Sequence, residues 1–211
     1  DSTRRWQGIN FVAGGAGTSL DYCIISGAGI SNTPVMTVNQ ILVRLAHSTL
    51  VNRNQRNIVV NANSQIIVDN CYIVGGRAGS GAPGPCLYLY ANASAEVTNT
   101  FFGHSGGLDA GAIQVNNNST LILDRCTFKN NHAGIWGGAI FGDNASILAT
   151  RCTFWGNWAL QGGHLRILSM EFASFNSCIF ANWRQSGSFD YSGTPIELQN
   201  CLFFGTPPIF S

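Results

Sequence analysis

The sequence predicts an all-β, single-domain parallel β-helix, a solenoid of about eight coils with about 26 residues in each. Three observations carry this: a phrase that returns at a near-constant interval, columns of like residues once the phrases are aligned, and no stretch with apolar residues at helical spacing.

The phrase is clearest at residues 121–128, 147–154 and 173–180, where Cys126, Cys152 and Cys178 stand 26 residues apart. Extended in both directions, its reference column is Cys23, Ser48, Cys71, Thr100, Cys126, Cys152, Cys178 and Cys201, at intervals of 25, 23, 29, 26, 26, 26 and 23. Every member is small. Two residues later stand Ile25, Leu50, Ile73, Phe102, Phe128, Phe154, Phe180 and Phe203, all large and apolar. Three residues before the reference column stand Leu20, Leu45, Val68, Val97, Leu123, Ala149, Phe175 and Leu198. The phrase therefore reads as one strand with an inward face. A second strand precedes it in each coil, at residues 85–89, 111–115, 138–141 and 163–167. Between them lie Asn, Gly and Ser clusters at 61–64, 116–119 and 142–145, residues that tolerate positive φ or bond their own backbone. One such unit cannot bury its apolar face alone and must stack on its neighbours. Eight coils at the inter-strand spacing make a core roughly 35–40 Å long.

The register runs through residues 1–211 without a linker, leaving 1–7 as an N-terminal arm and 205–211 as a C-terminal tail. The 29-residue interval is lengthened by a glycine-rich insertion at 75–81, which lacks the Lys-Ser/Thr ending of a phosphate loop. The first residue is Asp rather than Met, the expectation for a processed mature chain or a fragment.

Composition narrows the function. Only 10% of the 211 residues are charged and the net charge is +1, which gives no electrostatic case for nucleic acid or an anionic membrane. No apolar run approaches the length of a membrane span. Six of the seven cysteines share the inward reference column, where they read as buried thiols, with disulfides between stacked neighbours as the alternative. Asn92, Asn117, Asn118 and Asn144 each begin an N-x-Ser/Thr sequon in a predicted turn, so they are candidate glycosylation sites as well as turn formers.

Two motifs carry a resemblance. Gly137-Gly138-Ala139-Ile140 and Phe154-Trp155-Gly156-Asn157, with Phe128-Lys129-Asn130-Asn131 as a further copy, resemble the GGAI and FxxN repeats of the polymorphic membrane proteins and related adhesin-like β-helices. The likeness is good over residues 107–160 and fades at Phe180-Ala181-Asn182-Trp183. It implies a right-handed β-helix displayed as a rod at a cell surface, and the crossover rule gives the same hand. The architecture is also that of the pectin-lyase-like enzymes.

An enzyme of that kind needs converging carboxylates. The column two before the reference column reads Asp21, Ala46, Asp69, Thr98, Asp124, Thr150, Asn176, Gln199, with acids on alternate coils at best. His104 with Asp109, and Arg184 with Asp190, read as solvated turn residues, and His132 and His164 as surface or wall histidines. The sequence predicts no catalytic residue, no cofactor and no metal.

Two surfaces remain. Trp136, Trp155, Trp158 and Trp183 fall in neighbouring coils and form a candidate platform for glycans or a partner protein, unless they wrap a corner of the rod. The ends are the second. Trp6, Ile9 and Phe11 at one, and Phe203, Phe204, Ile209 and Phe210 at the other, are candidates for head-to-tail contact between copies, which does not close and so builds a filament. A fold-back of 207–211 as a plug is the alternative. The expected function is a secreted or cell-surface structural or adhesive protein that assembles end to end; the alternative is a polysaccharide-binding or polysaccharide-cleaving module.

Overall fold

A computed structural model describes residues 7–14, 17–27, 33–52, 56–75, 84–169, 171–185, 187–193 and 195–205. Trp6, Ile209 and Phe210 lie outside these, as do the plug segment and most of the glycine-rich insertion.

Three parallel sheets each hold eight strands, one from every coil. In the fifth coil, Ile113–Asn116 lies in the first sheet, Thr120–Asp124 in the second and Thr127–Lys129 in the third. His132–Ala133 then joins a short fourth sheet, to which Gly106–Gly107, Trp158–Ala159 and Arg184–Gln185 also belong. Pairing follows the repeat: Leu121 lies beside Ile147, Phe128 beside Phe154, and Phe154 beside Phe180.

The repeated phrase is two strands, not one. The residue just before the reference column is Tyr22, His47, Asn70, Asn99, Arg125, Arg151, Ser177 and Asn200, with φ between 46° and 55° at all eight. This left-handed residue bends the chain from the second sheet into the third. The bend explains why positions three before, at, and two after the reference column all face inward, a spacing no single strand allows. A left-handed non-glycine residue costs about 1–2 kcal/mol. Stacking offsets that cost, because each corner residue except the last donates its N–H to a carbonyl of the next coil at 2.9–3.2 Å.

Inside, Phe102, Phe128, Phe154, Phe180 and Phe203 stack face to face with centroids 4.8–5.2 Å apart. All seven cysteines are thiols. Cys71, Cys126, Cys152 and Cys178 are buried in the reference column, each donating S–H to the carbonyl two residues earlier. Ser48 and Thr100 keep the column small, and their hydroxyl oxygens accept the backbone N–H of Cys23 at 3.0 Å and of Cys71 at 3.3 Å. Cys86 stands outside it, beside the Asn57 amide. In the first and last coils Ile9, Phe11, Leu20, Ile196, Leu198 and Phe203 are only partly buried.

Candidate ligand groove

A second left-handed corner follows the third sheet, at His104, Asn130, Gly156 and Asn182, with φ of 54°, 55°, 64° and 54°. It turns the next residue inward: Ser105, Asn131, Asn157 and Trp183 are all buried. Asn131 and Asn157 close the two FxxN motifs, and their contacts show what the motif does. Asn157 Oδ1 accepts the backbone N–H and the side-chain amide of Asn131, both at 3.0 Å. Its Nδ2 donates to the Phe128 carbonyl and to His164 Nδ1, again at 3.0 Å. Asn131 donates to the Phe102 carbonyl at 3.1 Å. The phenylalanine fills the core, and the asparagine ties down a corner whose backbone groups would otherwise be orphaned.

Beyond this corner the side chains face out again. His132, Trp158 and Arg184 are register neighbours in the fourth sheet, and Lys129 and Trp155 are neighbours on the outer face of the third. The His132 ring stacks on Trp158, with centroids 4.0 Å apart and planes 29° apart. Gly156 has no side chain in a corner column otherwise occupied by His104, Asn130 and Asn182. The result is an open groove of about 460 Å³ lined by Asn130, Asn131, His132, Gly156, Trp158 and Arg184. Trp155, 44% exposed, stands on the adjoining third-sheet face.

The four tryptophans do not form one platform. Trp183 is only 4% exposed, with its ring packed where a Cβ on Gly205 would stand. It occupies the inward column that Asn131 and Asn157 hold in the preceding coils. Trp136 is half-buried and packs at 5.0 Å on Phe141 in the first sheet. Trp155 and Trp158 remain beside the groove. His132 and Arg184 are the functional candidates that tryptophan counting misses. The signal was present: positions 132, 158 and 184 are 26 residues apart.

Other polar groups settle elsewhere. Of the two histidines read as surface or wall residues, His132 is exposed and His164 is fully buried in the wall; burial pushes the His164 pKa down to about 3, so it is neutral. Asp190 pairs with Arg166, not with Arg184. Burial raises the Asp109 pKa while Arg56 opposes it. At the corner between the second and third sheets, Asp124 holds Arg125 at 3.0 Å and Arg151 at 2.7 Å, and Asp21 meets His47 at 2.8 Å. Hydrogen bonds from Thr98 and Asn99 hold Asp69 below its ordinary range. Among the described residues no group of three His, Cys, Asp or Glu side chains is placed to hold a metal ion. No helix there is long and apolar enough to cross a membrane. The sequon residues Asn92, Asn117, Asn118 and Asn144 are exposed at the corner between the first and second sheets, all with positive φ. Asn144 Nδ2 donates to Asn118 Oδ1 at 3.0 Å, so this column acts as a turn ladder.

Comparison with curated proteins and with solved structures returned no match. The profile described as "right handed beta helix region" matches residues 79–208. With its three parallel sheets and coil-by-coil register, the chain belongs to the right-handed β-helix family.

Proposed function

We propose that the chain is the rod of a secreted or cell-surface adhesive protein, and that it holds a glycan in the groove beside Trp158. The groove itself carries this reading. A sugar presents a C–H face and a rim of hydroxyls, so its sites combine aromatic surface with amide and guanidinium groups. Trp158 and Trp155 supply the first; Asn130 and Arg184 supply the second. Glycosidic hydrolysis needs a pair of acids about 5–10 Å apart. Among the described residues no carboxylate lines the groove, so the reading is recognition without turnover. Titration with a glycan library, followed by tryptophan fluorescence and calorimetry, tests it. Trp158→Ala should weaken binding at least tenfold with the circular dichroism spectrum unchanged. A native protein that binds no glycan refutes the reading; glycan cleavage refutes its non-catalytic part.

A second reading rests on the end coils, where apolar residues buried in every other coil are half-exposed at Ile9, Phe11, Leu20, Ile196, Leu198 and Phe203. End-to-end contact between copies would cover them, at about 1.5–3 kcal/mol per side chain before ordering costs. Negative-stain microscopy should show filaments that Phe203→Asp abolishes. Filaments unchanged in that variant, or monomers from the native chain, would exclude this assembly.

A further inference from the structure

The charge distribution identifies the kind of glycan; this inference rests on the groove reading. Every carboxylate among the described residues lies on the first or second sheet, in a segment leading into one of them, or at the corner after the second. None lies in a strand of the third or fourth sheet or at the corner between those two. The cations are distributed differently. Arg44, Arg125, Arg151 and Arg166 each have an aspartate partner. Lys129, the sole lysine of the chain, and Arg184 have no carboxylate within ion-pair distance among the described residues.

Of the three described cations with no aspartate ion pair, Arg184 lines the groove, Lys129 stands beside Trp155 on the adjoining third-sheet face, and Arg56 lies over the Tyr88 ring at the first sheet. Lys129 belongs to the fifth coil and Arg184 to the seventh, so they are two strand spacings apart, about 9.6 Å along the rod. Trp158 and the Gly156 gap lie at the level between them, and Asn130 at the level of Lys129. In a protein with so few charges, a face that keeps its cations and holds no acid attracts anions. Arg184 offers a planar donor fork suited to two acceptor oxygens, and Lys129 a point charge. We infer that the ligand is a linear anionic glycan, carrying carboxylate or sulfate groups and lying along the rod axis across coils five to seven. Its sugar rings meet the tryptophans, and successive anionic groups meet Lys129 and Arg184.

The test uses the native chain and three probes with one backbone: dextran, carboxymethyl-dextran and dextran sulfate, measured by calorimetry at 50 and 300 mM salt. The expected result is binding of a charged probe and not of neutral dextran, weakening at the higher salt. Whichever charged probe binds more tightly identifies carboxylate or sulfate as the recognised group. Arg184→Ala and Lys129→Ala should each weaken that binding about tenfold, with Arg184→Lys recovering part of it. Arg151→Ala, a cation at the far corner, should leave it unchanged. Dextran binding as tightly as the charged probes, or Arg151→Ala weakening them as much as Arg184→Ala, overturns this inference and leaves the groove reading standing. If neither these probes nor a neutral glycan library bind, both fall.

Discussion

Asn157 is the sharpest place to test how the corners hold the rod together. It is fully buried and makes four hydrogen bonds, each 3.0 Å long. Asn157→Leu keeps its volume and removes all four. The Asn131 side-chain amide retains the Phe102 carbonyl at 3.1 Å. Three groups are orphaned: the Asn131 backbone N–H, the Phe128 carbonyl and His164 Nδ1. At about 1–3 kcal/mol for each buried orphan, the ceiling is about 9 kcal/mol; partial relaxation and the added apolar burial of leucine bring the expected loss to about 3–5 kcal/mol. That is a large share of the 5–15 kcal/mol a typical domain has. Asn130→Ala is the control one residue away: exposed, with φ of 55°, it should cost about 1–2 kcal/mol through lost left-handed tolerance. Urea unfolding followed by far-ultraviolet circular dichroism and by tryptophan fluorescence measures both. In a stack of nearest-neighbour units the coils beyond the lesion should open first, splitting the transition. A loss under about 1 kcal/mol, or one equal to that of Asn130→Ala, would mean the buried ladder does not hold the corner.

Three further outcomes follow from the same geometry. His164 has a folded pKa of about 3 against an ordinary value near 6.5, so between those values only the unfolded chain takes up the proton. Its contribution is therefore complete above pH 6.5 and is lost as pH falls, by about 2 kcal/mol between pH 7 and pH 5; His164→Gln should remove that slope, and a native stability flat over this range would contradict it. Burial pushes the Cys71 and Cys86 thiols up to about 11. At pH 8 about one in a thousand is ionised, so mass spectrometry after alkylation should find the half-exposed Cys23 and Cys201 labelled first; rapid labelling of Cys86 in the folded protein would count against the packing. Gly156→Asn adopts a residue already present at φ of 55° and 54° in the coils on either side, and should fold while filling the groove. The new side chain would press on Asn130 Oδ1, only 2.6 Å from the Gly156 Cβ direction. Glycan affinity should fall at least tenfold with the melting temperature nearly unchanged, and undiminished binding would move the ligand elsewhere.

What was legible in the sequence was whatever the repeat copies. The thiol and phenylalanine columns place the core, because an inward position stacked on its own kind must stay inward in every coil. The bend inside the phrase was harder to see. Its left-handed residue is Tyr, His, Arg and Ser as well as Asn, so no turn residue marks it. The next coil supplies the hydrogen bond that lets any of them stay there. The only trace was a three-residue step between inward positions where a strand takes two. His164, read as a surface or wall histidine, is a wall residue, tied at 3.0 Å to Asn157 seven residues earlier, where the chain passes from the third sheet round to the first.

The groove obeys the opposite rule. A solenoid that repeated perfectly would present unbroken columns and no concavity, since each side chain would cover the space beside its copy one coil away. Concavity appears where a column changes identity. At the corner after the third sheet, Asn130 gives way to Gly156 and then to Asn182, opening one level. In the fourth sheet, glycine, histidine, tryptophan and arginine follow one another at Gly106, His132, Trp158 and Arg184, so no two levels offer a ligand the same chemistry. One coil on, the inward column exchanges asparagine for Trp183, which packs the end of the same wall. The repeated residues build the rod, and the departures from the repeat, concentrated in coils five to seven, distinguish one position along it from the next. A site search in this fold should therefore align the coils first and then ask where the columns fail to match, instead of scanning the chain for motifs.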